Sequence, residues 1–220
     1  MNKINGILFD MDGTVLDSEG LFDQAQILLL KEYGINSSKY DLEEFKGMSY
    51  KTFYPCFMEK FNLVGEINDI RSKLRKYLHN IMETELKYIN GFEAFYMNSI
   101  KNTNFKIGLV TNTTRLTYQK IQSCINIDKY FEFVLTVSES SEPKPSPKPY
   151  IESMEALSLK VNETLIIEDS ITGLQSAIKS NARVIGLTTS LTENQIKDVD
   201  RNIIVANSYN DISAYISLLK

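Results

Sequence analysis

The stretch Gly6-Ile-Leu-Phe-Asp10-Met-Asp12-Gly-Thr14 constrains the fold more than any other part of the chain. Ile7-Leu8-Phe9 is apolar without alternation and stops abruptly at a carboxylate. A strand with no polar face must be covered on both sides, which is the condition of a strand in a parallel sheet. Open parallel sheets bind ligands in the crevice outside the strands' carboxyl ends. This strand therefore delivers Asp10 and Asp12 to the edge where ligands are bound. Two acids so close together raise one another's pKa unless a cation lies between them, and hard carboxylate oxygens suit magnesium.

After Gly91 the pattern alternates between strand and helix. Phe105 to Val110 reads as a strand ending in Thr111-Asn112, followed by a helix with Leu116, Ile121 and Ile125 on its inner face. Phe131 to Val137 is a strand leading into the loop Glu142-Pro-Lys-Pro-Ser-Pro-Lys-Pro149, and Tyr150 to Leu159 is a helix. Thr164 to Ile167 is a strand ending in Glu168-Asp169. The helix Gly173 to Ser180 follows, stopped by Asn181, a residue that tolerates the left-handed cap. Arg183 to Leu187 and Ile203 to Ala206 complete the strands. Strands that alternate with helices imply a parallel sheet covered on both faces.

Residues 18 to 86 interrupt this alternation with helical periodicity alone. Leu21, Ala25, Leu28 and Leu29 share one face, and Gly34 closes that helix. A second helix runs from Tyr50 to Phe61. A long third helix carries Ile67, Ile70, Leu74, Tyr77, Leu78, Ile81 and Met82 at three- and four-residue spacing. The predicted organisation is a sheet domain formed by residues 1–17 and 87–220, with a helical domain, residues 18–86, inserted after the first strand.

Four strand ends thus bring polar groups to one edge: Asp10 and Asp12, Thr111 and Asn112, the loop carrying Lys144, and Glu168 with Asp169. Phosphoryl transfer needs this combination. Charge on three phosphoryl oxygens must be neutralised and the attack held in line, so electrostatics and positioning do most of the work. Asp10, Glu168 and Asp169, with a backbone carbonyl at Asp12, can hold magnesium. Thr111, Asn112 and Lys144 can bind the phosphoryl oxygens. One carboxylate can attack phosphorus, and a second can protonate the leaving group and later activate water.

In order and spacing, Asp10-Met-Asp-Gly-Thr-Val-Leu-Asp-Ser-Glu19, Val110-Thr-Asn-Thr113, Lys144-Pro-Ser-Pro-Lys-Pro-Tyr150 and Ile167-Glu-Asp-Ser-Ile-Thr-Gly173 resemble the haloacid dehalogenase superfamily of phosphohydrolases. The subgroup resembled has a helical cap inserted after the first strand. The resemblance implies an α/β fold, a Rossmann-like parallel sheet core with an inserted α-helical cap. It implies a magnesium-dependent phosphatase acting on a small phosphorylated metabolite, with a sugar phosphate expected. Asp10 would be the nucleophile and Asp12 the general acid/base. Thr111 and Lys144 would hold the phosphoryl group, and Glu168 and Asp169 would help hold Mg2+. The segment Lys46-Gly47-Met48-Ser49 resembles the family's specificity loop, with Phe22 and Tyr50 beside it.

The chain departs from the pattern at four positions. Asn90 stands where a proline is common, and Asn181 where a glycine is usual. The β-phosphoglucomutases, the subgroup resembled most, carry a cap histidine where Phe22 stands and an arginine where Tyr50 stands. Both substitutions weigh against a phosphomutase. The only histidine, His79, reads as a surface or packing residue of the long helix. A phosphoaccepting receiver domain also uses an Asp, an acidic pair, a Thr and a Lys. Receivers carry the acidic pair first and the phosphoacceptor on a later strand, the reverse of the order here.

A net charge of −4 provides no footprint for nucleic acid. Cys56 and Cys124 have neither metal nor redox spacing. The first residues run directly into a strand, and the sequence contains no stretch of transmembrane length. The expectation is a cytoplasmic monomer with no membrane partner.

Overall fold

The computed structural model describes residues 3–45, 48 and 50–219. Its elements, in chain order, are β1 (Gly6–Phe9), β2 (Leu16–Asp17), α1 (Glu19–Glu32), a 3-10 segment (Lys39–Phe45), α2 (Tyr50–Lys60), α3 (Ile67–Glu85), β3 (Lys87–Tyr88), α4 (Phe92–Phe95) continued by a π-helical turn (Tyr96–Ile100), β4 (Lys106–Thr111), α5 (Arg115–Ile125), β5 (Phe133–Thr136), α6 (Lys148–Ala156), β6 (Thr164–Glu168), α7 (Ile171–Lys179), β7 (Arg183–Leu187), α8 (Glu193–Val199), β8 (Ile204–Ala206) and α9 (Tyr209–Ser217). The chain divides into two compact units, residues 1–17 with 87–220 and residues 18–86.

In the first unit, six strands form a parallel sheet in the order β5-β4-β1-β6-β7-β8. The order reverses at β1, which lies between β4 and β6. Phe9 pairs with Leu109 on one side and Ile167 on the other, so Asp10 emerges level with Val110 and Glu168. All four residues of β1 are buried, because each face of the strand meets its own layer. Leu8 belongs to a core with Val110, Tyr150, Met154, Ile166, Leu174 and Ile196. Phe9, directed to the opposite face, meets Phe92, Phe95 and Phe131 edge-on at 6.0–6.3 Å. Tyr209 of α9 joins this aromatic layer, and its hydroxyl donates to the Thr14 carbonyl at 2.7 Å. The apolar run without alternation therefore has the double burial that it predicted.

The second unit is helical. α1 buries Leu21, Ala25, Leu29 and Leu30, and α3 buries Ile70, Leu74, Ile81 and Met82. Phe45, Phe53, Phe57 and Phe61 cluster at 5.1–6.2 Å between ring centroids, mostly edge to face. Glu32 of α1 accepts from Lys73 Nζ at 2.6 Å and Tyr77 Oη at 2.9 Å, which ties α1 to α3. Within the described residues, no helix is long and apolar enough to cross a membrane.

Several local expectations change. Leu116 was expected on the inner face of α5 but is 53% exposed; Tyr118 and Ile121 are buried instead. At 3.6 residues per turn Leu116 lies about 200° around the helix from Tyr118, so the two cannot share a face. Leu28 is likewise 40% exposed, while Leu30 is buried in its place. The helix expected over Tyr150–Leu159 begins earlier, at Lys148, with Pro149 in its first turn, where a missing N–H costs nothing. The helix expected from Gly173 starts at Ile171 because Ser170 caps it, its side chain accepting from Gly173 N at 3.0 Å. Helices α8 and α9 and the short antiparallel pair β2–β3 are additional to the expected elements. A signal for α8 is present: Thr192 and Gln195 form a capping box. Asn181 adopts φ +63°, as its capping role requires. Cys56 is exposed, Cys124 half-buried, and both are free thiols.

Candidate active site

The carboxyl ends of β1, β4 and β6 meet around one lysine. Lys144 arrives on the loop between β5 and α6, and Nζ makes three bonds: to Asp10 Oδ1 at 2.6 Å, Glu168 Oε1 at 2.7 Å and the Val110 carbonyl at 2.8 Å. An ammonium has three donors, and all three are used here. Lys144 is 5% exposed, Asp10 8% and Glu168 0%. Burial alone would lower the lysine's pKa, but Asp10 and Glu168 outweigh it and raise the value, so the ammonium stays charged. The Lys144 backbone is pinned by Asn112, whose Oδ1 accepts from Lys144 N at 3.0 Å and whose Nδ2 donates to Lys144 O at 3.2 Å. The Asn112 side chain, expected on the phosphoryl group, thus places the lysine loop.

Asp10, Glu168 and Asp169 each present a carboxylate oxygen within 4.8 Å of the others, and all three residues are buried. Burial, followed by the negative charge of Glu168, drives the Asp10 pKa well up; Lys144 opposes the shift, and Asp169 and Asp12 add to it. A pocket with more buried negative than positive charge is suited to a divalent cation. The three acids differ in the groups that hold them. Glu168 Oε1 accepts from Lys144 and from Tyr150 Oη at 2.8 Å. Its Oε2 accepts from Asp169 N at 3.1 Å, Ser170 Oγ at 3.2 Å and Ser170 N at 3.3 Å. A carboxylate offers about four lone-pair sites, so the protein itself fills Glu168. Asp169 accepts one hydroxyl on each oxygen, from Thr14 at 2.9 Å and from Ser190. The donor set therefore fits a hard cation held by Asp10 and Asp169, with Glu168 fixing the groups around it.

Asp12 sits at the mouth. Its Oδ2 accepts from Thr113 Oγ1 at 2.8 Å and, more weakly, from Thr111 Oγ1 at 3.4 Å. Thr111 Oγ1 also accepts from Thr113 N at 2.9 Å. Glycine is required at two points around these acids. Gly13 has φ +78°, and a Cβ there would lie 2.1 Å from Asp169 Oδ2; a Cβ on Gly173 would lie 1.7 Å from Glu168 Oε1.

Asp10, Asp12, Thr111, Asn112, Lys144, Glu168 and Asp169 thus gather at one edge of the sheet. Phe22 belongs to the helical unit, where its ring tilts against Phe53 at 5.4 Å. Lys46, Gly47 and Ser49 lie outside the described residues, as does the side chain of Tyr50. His79 is half-buried within α3. The geometry adds Thr14, Thr113, Tyr150 and Ser190 to the site. Thr14 and Thr113 lie inside motifs that the sequence marks. Tyr150 follows the lysine loop as an ordinary apolar helix residue would, and Ser190 sits in a polar turn with no pattern to set it apart.

Pyrophosphatase PpaX of Oceanobacillus iheyensis is 26% identical over 206 residues, 92% of each chain. Among solved structures, a HAD hydrolase of family IA, variant 3, from Entamoeba histolytica superposes with a TM-score of 0.84 at 17% identity, covering 98% of this chain and 99% of the other. CbbY from Rhodobacter sphaeroides, in complex with phosphate, gives a TM-score of 0.78 at 20% identity over 95% and 96% of the two chains. These two likenesses concern the fold. The profile of the family described as Haloacid dehalogenase-like hydrolase matches residues 7–187, and with the acids of β1 and β6 sharing Lys144 on one sheet edge, the chain belongs to that family of hydrolases.

Proposed function

We propose that this hydrolase is a magnesium-dependent phosphatase that cleaves small phosphorylated metabolites through a phosphorylated Asp10. The observation that carries the reading is the buried bridge from Lys144 to Asp10 and Glu168. It fixes the Asp10 carboxylate at the sheet edge and sets the ammonium beside the place where a phosphoryl group would arrive.

An Asp10 carboxylate oxygen attacks phosphorus, and the bond from phosphorus to the leaving oxygen breaks. Asp12, held by Thr113, gives its proton to that oxygen. Water then attacks the phosphorus of the acyl phosphate. Its proton returns to Asp12, the Asp10 carboxylate is regenerated and inorganic phosphate leaves. Thr111 and the backbone N–H groups around Asn112 bind the phosphoryl oxygens, and Lys144 joins them by exchanging its bond to Asp10 for one to the phosphoryl group. Magnesium, held by Asp10, Asp169 and the Asp12 carbonyl, would neutralise charge on the transferring group. Residues 18–86 serve as the substrate-selecting cap, with Phe22, Lys46, Gly47, Ser49 and Tyr50 as its specificity residues.

Two substrate classes are in contention. The resemblance to β-phosphoglucomutase-like enzymes favours sugar phosphates, and the pyrophosphatase relatives favour pyrophosphate. Phe22, packed on Phe53, offers no proton-transfer group for a mutase. Phosphate release should be measured on a panel of sugar phosphates, small acid phosphates and pyrophosphate, with magnesium and with a chelator. Turnover of one or more members that the chelator abolishes is expected. Full turnover in chelator, or no release from any member, would overturn the reading.

A further inference from the structure

Ser190 stands apart from the motifs yet reaches the centre of the site. It lies in the turn after β7, and its Oγ donates to Asp169 Oδ2, while Thr14 Oγ1 donates to Asp169 Oδ1 at 2.9 Å. The next residue back, Thr189, donates from Oγ1 to the Gly13 carbonyl at 2.5 Å. The turn therefore grips both the acid at the end of β6 and the loop that follows β1. The packing is tight: a Cβ on Gly13 would lie 2.9 Å from Ser190 Oγ and 2.1 Å from Asp169 Oδ2.

We propose that Ser190 is a positioning residue that sets the affinity of the site for its divalent cation. The proposal rests on the reading of Asp169 as a ligand. The torsion that turns a carboxylate about its own axis is soft and broad. With Thr14 on one oxygen and Ser190 on the other, the Asp169 carboxylate is clamped from two separate loops. Removal of Ser190 takes away the clamp on Oδ2 and loosens the orientation of the carboxylate. Outer-shell partners of this kind are worth about 10- to 100-fold in metal affinity. Ser190 is half-buried at the surface of the site, so truncation there leaves the core intact.

The test is Mn2+ binding to the full-length protein without substrate, followed by the paramagnetic signal of the free ion. The parent is compared with Ser190→Ala, Ser190→Thr and Asp169→Ala, each first checked for a parent-like thermal unfolding transition. Ser190→Ala should bind Mn2+ about 10- to 100-fold more weakly, and Ser190→Thr, which keeps the hydroxyl, should bind within a few-fold of the parent. In turnover, Ser190→Ala should need more magnesium for half-activation than the parent. Parent-like Mn2+ binding by Ser190→Ala, with Asp169→Ala impaired, would overturn the role of Ser190 alone. Parent-like binding by Asp169→Ala would remove Asp169 as a ligand and the proposal with it. Equal weakening in the Ala and Thr variants would also overturn it, because the hydroxyl would then not be the cause.

Discussion

The two acids that follow β1 are two residues apart, yet their surroundings assign them different work. Asp10 is buried and bonded to Lys144, whereas Asp12 lies at the mouth with its Oδ2 on the hydroxyl of Thr113. Substitutions should therefore fail at different steps. Asp10→Asn keeps the shape but lacks an anionic nucleophile, so no covalent intermediate should form. Asp12→Asn keeps the nucleophile and loses the proton-transfer group, which typically contributes about a hundred- to ten-thousand-fold. With an acyl or aryl phosphate, whose leaving group needs little protonation, Asp12→Asn should still be phosphorylated and should then release phosphate slowly. Intact-protein mass after brief exposure to such a substrate with magnesium reads both outcomes. A phosphate adduct on Asp10→Asn, or parent-like phosphate release from Asp12→Asn, would reverse the assignment. At this scale the sequence reveals residues that sit at the ends of apolar runs, because a strand end is a readable position. Tyr150 and Ser190 were not legible. Each acquires its role from a partner more than fifteen residues away, Glu168 for the tyrosine and Asp169 for the serine.

The elements deliver these side chains through specific anchors, and the turn after β5 shows how. Arg115, in the first turn of α5, pairs with Glu139 through Nε to Oε1 and Nη2 to Oε2, both at 2.9 Å. Glu139 Oε2 also accepts from Thr136 Oγ1 at 2.6 Å and Thr136 N at 3.1 Å. This fork closes the end of β5, from which the chain runs on to Lys144. The Arg115 bonds, ahead of those from Thr136, hold Glu139 below the ordinary carboxylate range. A depressed folded-state pKa contributes stability above the unfolded value and loses it as pH falls. Parent protein should therefore unfold at a higher temperature than Glu139→Gln near pH 7, and the gap should narrow below the ordinary glutamate value of 4.5. A gap that does not change with pH would show that the charge on Glu139 is not the source. Most elements were legible from periodicity, and the misplaced faces have local causes. Leu116 occupies an exposed first-turn position of α5 while Tyr118 takes the inward one, a choice that apolarity alone does not make. The order of strands in the sheet was equally unreadable, since β1 pairs with β4 and β6 across long sequence gaps.

At the scale of the whole molecule, all six strands of the large sheet and every acid of the site belong to residues 1–17 and 87–220, and the insertion enters and leaves through adjacent residues. β2 and β3 are antiparallel, with Leu16 opposite Tyr88 and Asp17 opposite Lys87. Asp17 and Lys87 form an ion pair at 3.1 Å, and Ile89 N donates to the Val15 carbonyl at 2.9 Å. Hydrogen-bonded and non-hydrogen-bonded pairs alternate along an antiparallel ladder. Since the Val15–Ile89 pair is bonded, the Asp17–Lys87 pair is a bonded position too, the kind that a two-residue hairpin loop closes. Replacing residues 18–86 with Asn-Gly, which favours the type I′ turn, should therefore join the strands without strain. The shortened chain should fold and unfold cooperatively, as followed by circular dichroism on heating. If residues 18–86 select the substrate, it should hydrolyse a small aryl phosphate with magnesium and lose its discrimination among larger metabolites. A shortened chain that shows no cooperative transition would mean that the sheet unit depends on the insertion for its stability. One that folds and keeps the parent's substrate preferences would place specificity in the sheet unit itself.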